Sequence, residues 1–449
     1  MSRNDAGNIP QPKKLFFFRA SPGLVTKRAI EWVKTALIAL LAFSALILGW
    51  RTELFNDFIA SIPLFGSVAD LVWGGAGASV TMSDSIKEAA RPFDIVITDE
   101  DGGRYGVRYD TDARNSVYDR TSSIIRESLG SFSELREISE EEWRAALSGP
   151  GVYFEYITPV KLSVLDRWLD ARMSAAAGDA FLRRICVAFG EDRSRIYYQD
   201  HESGLFYGAD TASAAGKAQE LGIYSANGAV FAYETGIKAA EAAPYMLIMP
   251  GRDHPDIRAS AAGSAEELLD IILGAMGIRR SETSTYYDSS GVLVCVGTQL
   301  NVRVDADGYV FYRRTEAQSQ PAAAETLSES DMIERARVIA ADTIARTCGG
   351  AEVFFDSLDY GAGESCSVLF TYYIAGGRIM LFENEYAARV TFTAGAVLEF
   401  ELNFRNFLQS GEYTRLLPER LALAAAGGEF ILCYSDTGAE RLPPAWVAR

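Results

Sequence analysis

From about residue 90 onward, apolar and polar positions alternate over short runs, and the runs are broken by turn residues, which predicts many short strands with interspersed helices. Phe93-Asp94-Ile95-Val96-Ile97 and Tyr105-Gly106-Val107-Arg108-Tyr109 flank a turn with two glycines and read as a hairpin. A helix is expected over 113–129, and a second from Ser139, where Ser139 and Glu142 form a capping box before Trp143 and Leu147. Gly151–Tyr156 reads as a strand, Pro159 as its end, and 161–170 as a short helix. Further strands are expected near 184–189, 195–199, 204–208, 229–233 and 245–249. Ser264 and Glu267 cap another helix, and two strands surround the turn at Asp305–Gly308. Beyond these, one helix over 331–347 precedes strands near 352–359, 366–374, 378–382, 387–393 and 396–404. A helix over 418–426 and a strand over 429–434 close the series. Helices beside mostly antiparallel strands define an α+β class, and the lack of regular βα alternation excludes a doubly wound sheet.

The N-terminal pattern differs. Thr35–Trp50 is an uncharged apolar run of 16 residues, about 24 Å of helix at 1.5 Å per residue. Trp32, Lys34 and Trp50 extend it to the two interfaces of a bilayer. The expected architecture is therefore a single N-terminal transmembrane helix followed by extracytoplasmic domains of antiparallel sheets with packed helices. Residues 1–50 carry seven basic and two acidic side chains, so the tail is placed in the cytoplasm and the main region outside. The divisions expected are a cytoplasmic tail (1–29), the transmembrane helix (30–51), a membrane-proximal segment (52–89), an α+β region of one or two subdomains (90–314), a Pro- and Ala-containing linker (315–329) and a C-terminal α+β domain (330–449). Ala39, Ala42, Ala45 and Gly49 share roughly one side of the membrane helix. Small faces of this kind let a second helix approach closely in lipid, so these four are the candidate protein-binding residues.

Composition changes the picture in two ways. From residue 52 onward 35 basic side chains face 58 acidic ones, a net charge of −23, which disfavours nucleic acid as a partner. The five cysteines are widely spaced and form no CxxC pair, so buried thiols are expected, with a disulfide as the alternative. No G-x-S-x-G, S-x-x-K, H-E-x-x-H, Walker A or G-x-G-x-x-G motif occurs. His201 beside Asp200, and His254 between Asp253 and Asp256, could serve a metal but read better as polar loop tips. Asp99-Glu100-Asp101 reads as a solvated turn, and Asp305 and Asp307 lack the remainder of a calcium loop. The pairs Tyr197-Tyr198, Tyr286-Tyr287 and Tyr372-Tyr373 read as cross-strand packing, or as an exposed face for a protein partner. No catalytic, cofactor or metal residue is assigned.

Three segments carry a resemblance. Residues 33–51 (VKTALIALLAFSALILGWR) resemble the N-terminal anchor of the YycH and YycI proteins. Residues 151–169 (GVYFEYITPVKLSVLDRWL) are similar to the aromatic strand, proline and short helix of YycH-type sequences. Residues 385–405, followed by 416–425 and the Pro-Ala-Trp tail at 443–447, resemble their terminal module. The long tail before the anchor and the acidity depart from that pattern. The resemblance implies a non-enzymatic accessory protein of a WalK-type sensor histidine kinase that controls cell-wall metabolism, acting partly through membrane-helix contacts. Its implied partners are that kinase, a paralogous accessory protein and the membrane, with no cofactor. The alternatives are a structural or assembly protein of the cell envelope in division or sporulation, and a hydrolase or binding protein of another type.

Overall fold

The computed structural model describes residues 88–173, 179–190, 192–212, 217–298, 300–315, 327–361, 365–382, 385–393 and 395–449, all within one compact unit spanning Leu64–Arg449. The expected tail and anchor, with Ala39, Ala42, Ala45 and Gly49, lie outside the described residues, as does nearly all of the membrane-proximal segment. Among the described residues no helix is long and apolar enough to cross a membrane.

The expected hairpin forms from β1 (Asp94–Thr98) and β2 (Arg104–Val107). With β3 (Arg136–Ile138), β4 (Gly151–Lys161), β5 (Phe181–Phe189), β6 (Ser194–Asp200) and β7 (Phe206–Thr211) it builds an antiparallel sheet in the order β2-β1-β4-β5-β6-β7-β3. Helix α1 (Thr111–Ser131) is capped by Asp110, whose side chain accepts from the Ala113 N–H at 2.9 Å. It buries Val117, Ile124, Ile125 and Leu129 at helical spacing. Helix α2 (Glu140–Ser148) starts at Ser139 as expected, but Glu142 pairs with Arg136 instead of returning to the cap. Strand β4 does not stop at Pro159. Its register against β5 shifts between Glu155 and Val160, and that irregularity absorbs a residue without an N–H before α3 (Leu162–Leu169) begins.

The second sheet is larger. Its strands are β11 (Ser284–Tyr287), β12 (Leu293–Val296), β13 (Leu300–Val304), β14 (Tyr309–Arg314), β15 (Glu352–Tyr360), β16 (Ser365–Ile374), β17 (Gly377–Leu381), β18 (Ala388–Thr393), β19 (Ala396–Asn403), β21 (Phe430–Asp436) and β23 (Pro444–Ala448). The order is β11-β12-β13-β14-β19-β18-β16-β17-β21-β23, with β15 on the other edge of β16. All these pairings are antiparallel except β17 with β21. Strands β8 (Val230–Phe231) and β9 (Leu247–Ile248) form a short antiparallel pair, and a third sheet places β10 (Asp253–Ala261) between β20 (Arg405–Arg415) and β22 (Arg441–Leu442). Helix α4 (Ala265–Ala275) has the full Ser264–Glu267 capping box and packs on β12 and β13. Helix α5 (Glu329–Asp342) ends earlier than expected, where Thr343 Oγ1 donates back to the Ile339 carbonyl at 2.5 Å and a 3-10 turn follows. Helix α6 (Glu419–Ala426) ends on Gly427 in the left-handed region.

Pairing crosses the expected linker. β14 pairs with β19 over five residue pairs, and β10 pairs with β20 along most of its length. Trp168 Nε1 of α3 donates to Glu334 of α5 at 3.3 Å. The β16–β17 turn, Ala375-Gly376, has positive φ at both positions and presses onto the first sheet: a Cβ on Gly376 would lie 2.9 Å from the Tyr109 Cα. Gly376→Ala is accordingly expected to cost more than about 1 kcal/mol, read as a lowered urea midpoint, whereas Gly236→Ala, with no neighbour within 4 Å but φ of 70°, pays only the backbone term. A protease site inserted within 316–326 should yield two fragments that co-elute natively and separate only in denaturant. Fragments that part under native conditions would show that the shared sheet does not hold the halves together.

Candidate functional site

The charges that interrupt apolar strands converge. Asp94 of β1 is buried, and Arg108, just past β2, donates to it through Nε at 2.6 Å and Nη2 at 2.5 Å. Arg108 Nη1 also lies 3.7 Å from Glu419 of α6. Glu419 accepts from the Tyr109 hydroxyl and from the Met249 N–H, the latter at 2.8 Å. Burial pushes the Glu419 carboxyl up, and Arg108, Tyr109 and the Met249 amide oppose that rise. Close by, Glu155 of β4 takes Arg183 and Arg184 at 3.0 Å each. A register shift between Leu182 and Arg184 lets these adjacent arginines reach one carboxylate. Arg183 continues to Glu429, which also takes Arg449 at 3.3 Å. Burial works against the Glu429 carboxylate, but its bonds and charge contact with Arg183, joined by Arg449 and Arg184, hold its pKa down at about 2. Asp94, Arg108, Glu155, Arg183, Glu429 and Arg449 surround one small cleft between the first sheet and the C-terminal strands.

The residues considered from sequence are not brought together. His201 sits at an exposed turn after β6. His254 is no loop tip: it lies in β10, buried, with its ring 4.7 Å from Tyr109 and 5.3 Å from Trp446. Among the described residues its Nδ1 has no hydrogen-bond partner, and burial followed by the Arg252 charge lowers its pKa to about 4. Asp256 faces Thr414 at 2.7 Å and Arg441 at 2.6 Å, so it closes the third sheet and is not grouped with His254 as a ligand. Asp99 caps its hairpin by accepting from the Gly103 and Asp101 N–H groups at 2.6 and 3.0 Å, and Asp305 does the same for Asp307 and Tyr309. The five cysteines are free and buried, and burial raises the Cys186 thiol to about 12. Among the described residues no group of three or more His, Cys, Asp or Glu could hold a metal ion. Tyr198 stacks on its cross-strand neighbour Tyr207 at 5.5 Å, while Tyr286 and Tyr287 are exposed.

A second feature is a cavity of about 370 Å³ beside β15, between α1 and α5. Trp168, Phe354 and Phe370 wall it, and Ala340, Ala341 and Ala345 leave the room. Sequence reading missed both features. The charge cluster left a signal, since Asp94, Glu155 and Arg183-Arg184 each stand inside an apolar run. The cavity left none, because it needs α5 and β15 set against α1.

The described residues thus form an α+β architecture in which a buried charge cluster joins the first sheet to the C-terminal elements. No family model matches the chain, and no curated protein matches it by sequence. Among solved structures it is similar to the crystal structure of YycH from Bacillus subtilis, at 13% identity and a TM-score of 0.52, over 82% of this chain and 95% of that one. The chain has a YycH-like fold.

Two outcomes test the cluster. Arg108→Met leaves Asp94 and Glu419 buried without their cation and should cost about 3–5 kcal/mol in urea unfolding. His254 carries a depressed pKa, so the unfolded chain binds its proton more readily and stability falls as pH drops from 6.5 towards about 4. That window is worth roughly 3 kcal/mol, and His254→Phe, which keeps a ring between Tyr109 and Trp446, should flatten it. An unchanged pH slope in that variant would contradict the assignment.

Proposed function

We propose that the chain is a membrane-anchored, non-enzymatic regulator of a two-component sensor histidine kinase that controls cell-wall metabolism, acting from outside the membrane through domain and helix contacts. The observation that carries this reading is the YycH-like fold over 82% of the chain. The anchor sequence supports it. Residues 35–50 have the length and flanks of a single span, and the basic tail favours an N-in topology. The partners are the kinase, a paralogous accessory protein and the membrane itself, with no nucleic acid and no cofactor. The contact residues proposed in the membrane are Ala39, Ala42, Ala45 and Gly49. Hydrophobicity does not drive helices together in lipid, so close packing of a small face must supply the attraction. An extracytoplasmic region tied into one unit suits a regulator that must present a fixed surface to a partner.

Crosslinking in native membranes, followed by mass spectrometry, is expected to capture a sensor histidine kinase. Gly49→Leu keeps the run apolar but fills the groove, and should lower capture several-fold at unchanged protein level. Leu41→Ile, on another face, should be silent. Full capture after exchange of the whole helix for an unrelated one of equal length would end the helix-contact reading. Capture of envelope assembly proteins without a kinase would end the regulatory one. The topology is checked by an impermeant thiol reagent on intact cells, which should label an engineered cysteine at residue 320 and not one at residue 10.

A further inference from the structure

The cavity beside β15 is bordered by an uninterrupted run of chain, Cys348 through Phe355. Successive side chains of a strand point to opposite faces, so a strand that lines a cavity with consecutive residues presents its backbone edge. β15 is such an edge, because among the described residues it pairs with β16 alone. In an antiparallel ladder every second residue turns its N–H and C=O away from the partner strand. Among the described residues, no hydrogen bond reaches those outward groups over Glu352–Phe355. Further along, the edge is guarded. The register shifts between Phe355 and Ser357, and Asp356 and Asp359 engage Arg378 and Arg389. Bulges and charges are the usual means of keeping an edge from pairing. Before that bulge the one charged side chain, Glu352, is drawn aside by Arg114. The approach is open as well, since Ala345, Gly349 and Gly350 are exposed at the mouth and carry little or no side chain.

We propose that this edge binds an extended peptide of a partner protein by strand addition, and that one large apolar side chain of the peptide seats in the cavity. Main-chain hydrogen bonds to β15 would supply affinity, and the aromatic wall of Trp168, Phe354 and Phe370 would select the side chain. A net charge of −17 favours basic residues in the flanks of the peptide. The proposal stands whatever protein the chain regulates, and its test uses no kinase.

The experiment uses the full chain in detergent and a labelled probe, acetyl-Lys-Thr-Val-Phe-Val-Thr-Lys-amide, read by fluorescence anisotropy and by hydrogen exchange. Saturable binding with new protection over 352–355 is expected. Two N-methylated versions cover the two alternate sets of peptide amides, and one of them should bind at least tenfold more weakly. Replacing the central Phe of the probe by Gly should cost at least tenfold. Ala341→Trp fills the cavity and should abolish binding, and Ala345→Trp, at the exposed mouth, repeats the test in case the first variant fails to fold. Absence of saturable binding overturns the proposal. Equal binding of both methylated probes overturns strand addition, and wild-type affinity in a folded tryptophan variant overturns the seat in the cavity.

Discussion

Arg108 carries the constraint on which much of the fold rests. Its guanidinium is buried, and removing a cation from water costs several kcal/mol unless carboxylates are held against it. Asp94 comes from the first strand of the first sheet and Glu419 from the last helix, more than 300 residues later. Satisfying one arginine therefore fixes the C-terminal module against the N-terminal sheet. Arg183 and Glu429 repeat the arrangement two strands over, on β5, and Arg449 reaches back to the Ile157 carbonyl at 2.7 Å. Buried pairs contribute little net stability against an apolar substitute, but a broken pair is severely penalised, so such clusters specify one docking geometry.

Apolar packing then fills the frame. The largest core cluster runs from Ile95 and Phe154 in the first sheet through Tyr312 and Phe400 in the second, with Tyr312 stacked on Phe400 at 4.4 Å. The expected boundary at 315–329 is a change in composition that a continuous sheet spans, because β14 finds its partner in β19.

Much of this was legible in the residues, and the failures have physical causes. Alternation located β1, β6, β16 and β19 because each has one polar and one buried face or a clear apolar run. Ser264 and Glu267 announced α4 because their bonds are local. β10 was missed because Asp-His-Pro-Asp reads as a turn, and only Arg441 and Thr414, distant in sequence, neutralise Asp256 inside a sheet. β20 was missed for a similar reason, since Gln409-Ser410-Gly411-Glu412 is turn-like until β10 pairs with it. Of the candidate sites, the small-residue face expected at Ala39, Ala42, Ala45 and Gly49 lies outside the described residues and stays a proposal. The exposed edge of β15 was not legible, because edge position is a property of topology.

Buried charges thus make the first sheet and the C-terminal strands of the described region one cooperative unit. Hydrogen exchange under mild denaturant tests it most directly, by comparing the opening of β1 with that of β21. The two strands are expected to open with the same free energy and the same denaturant dependence, and Arg108→Met should lower both together. Earlier opening of β21 while β1 stays protected would contradict the claim.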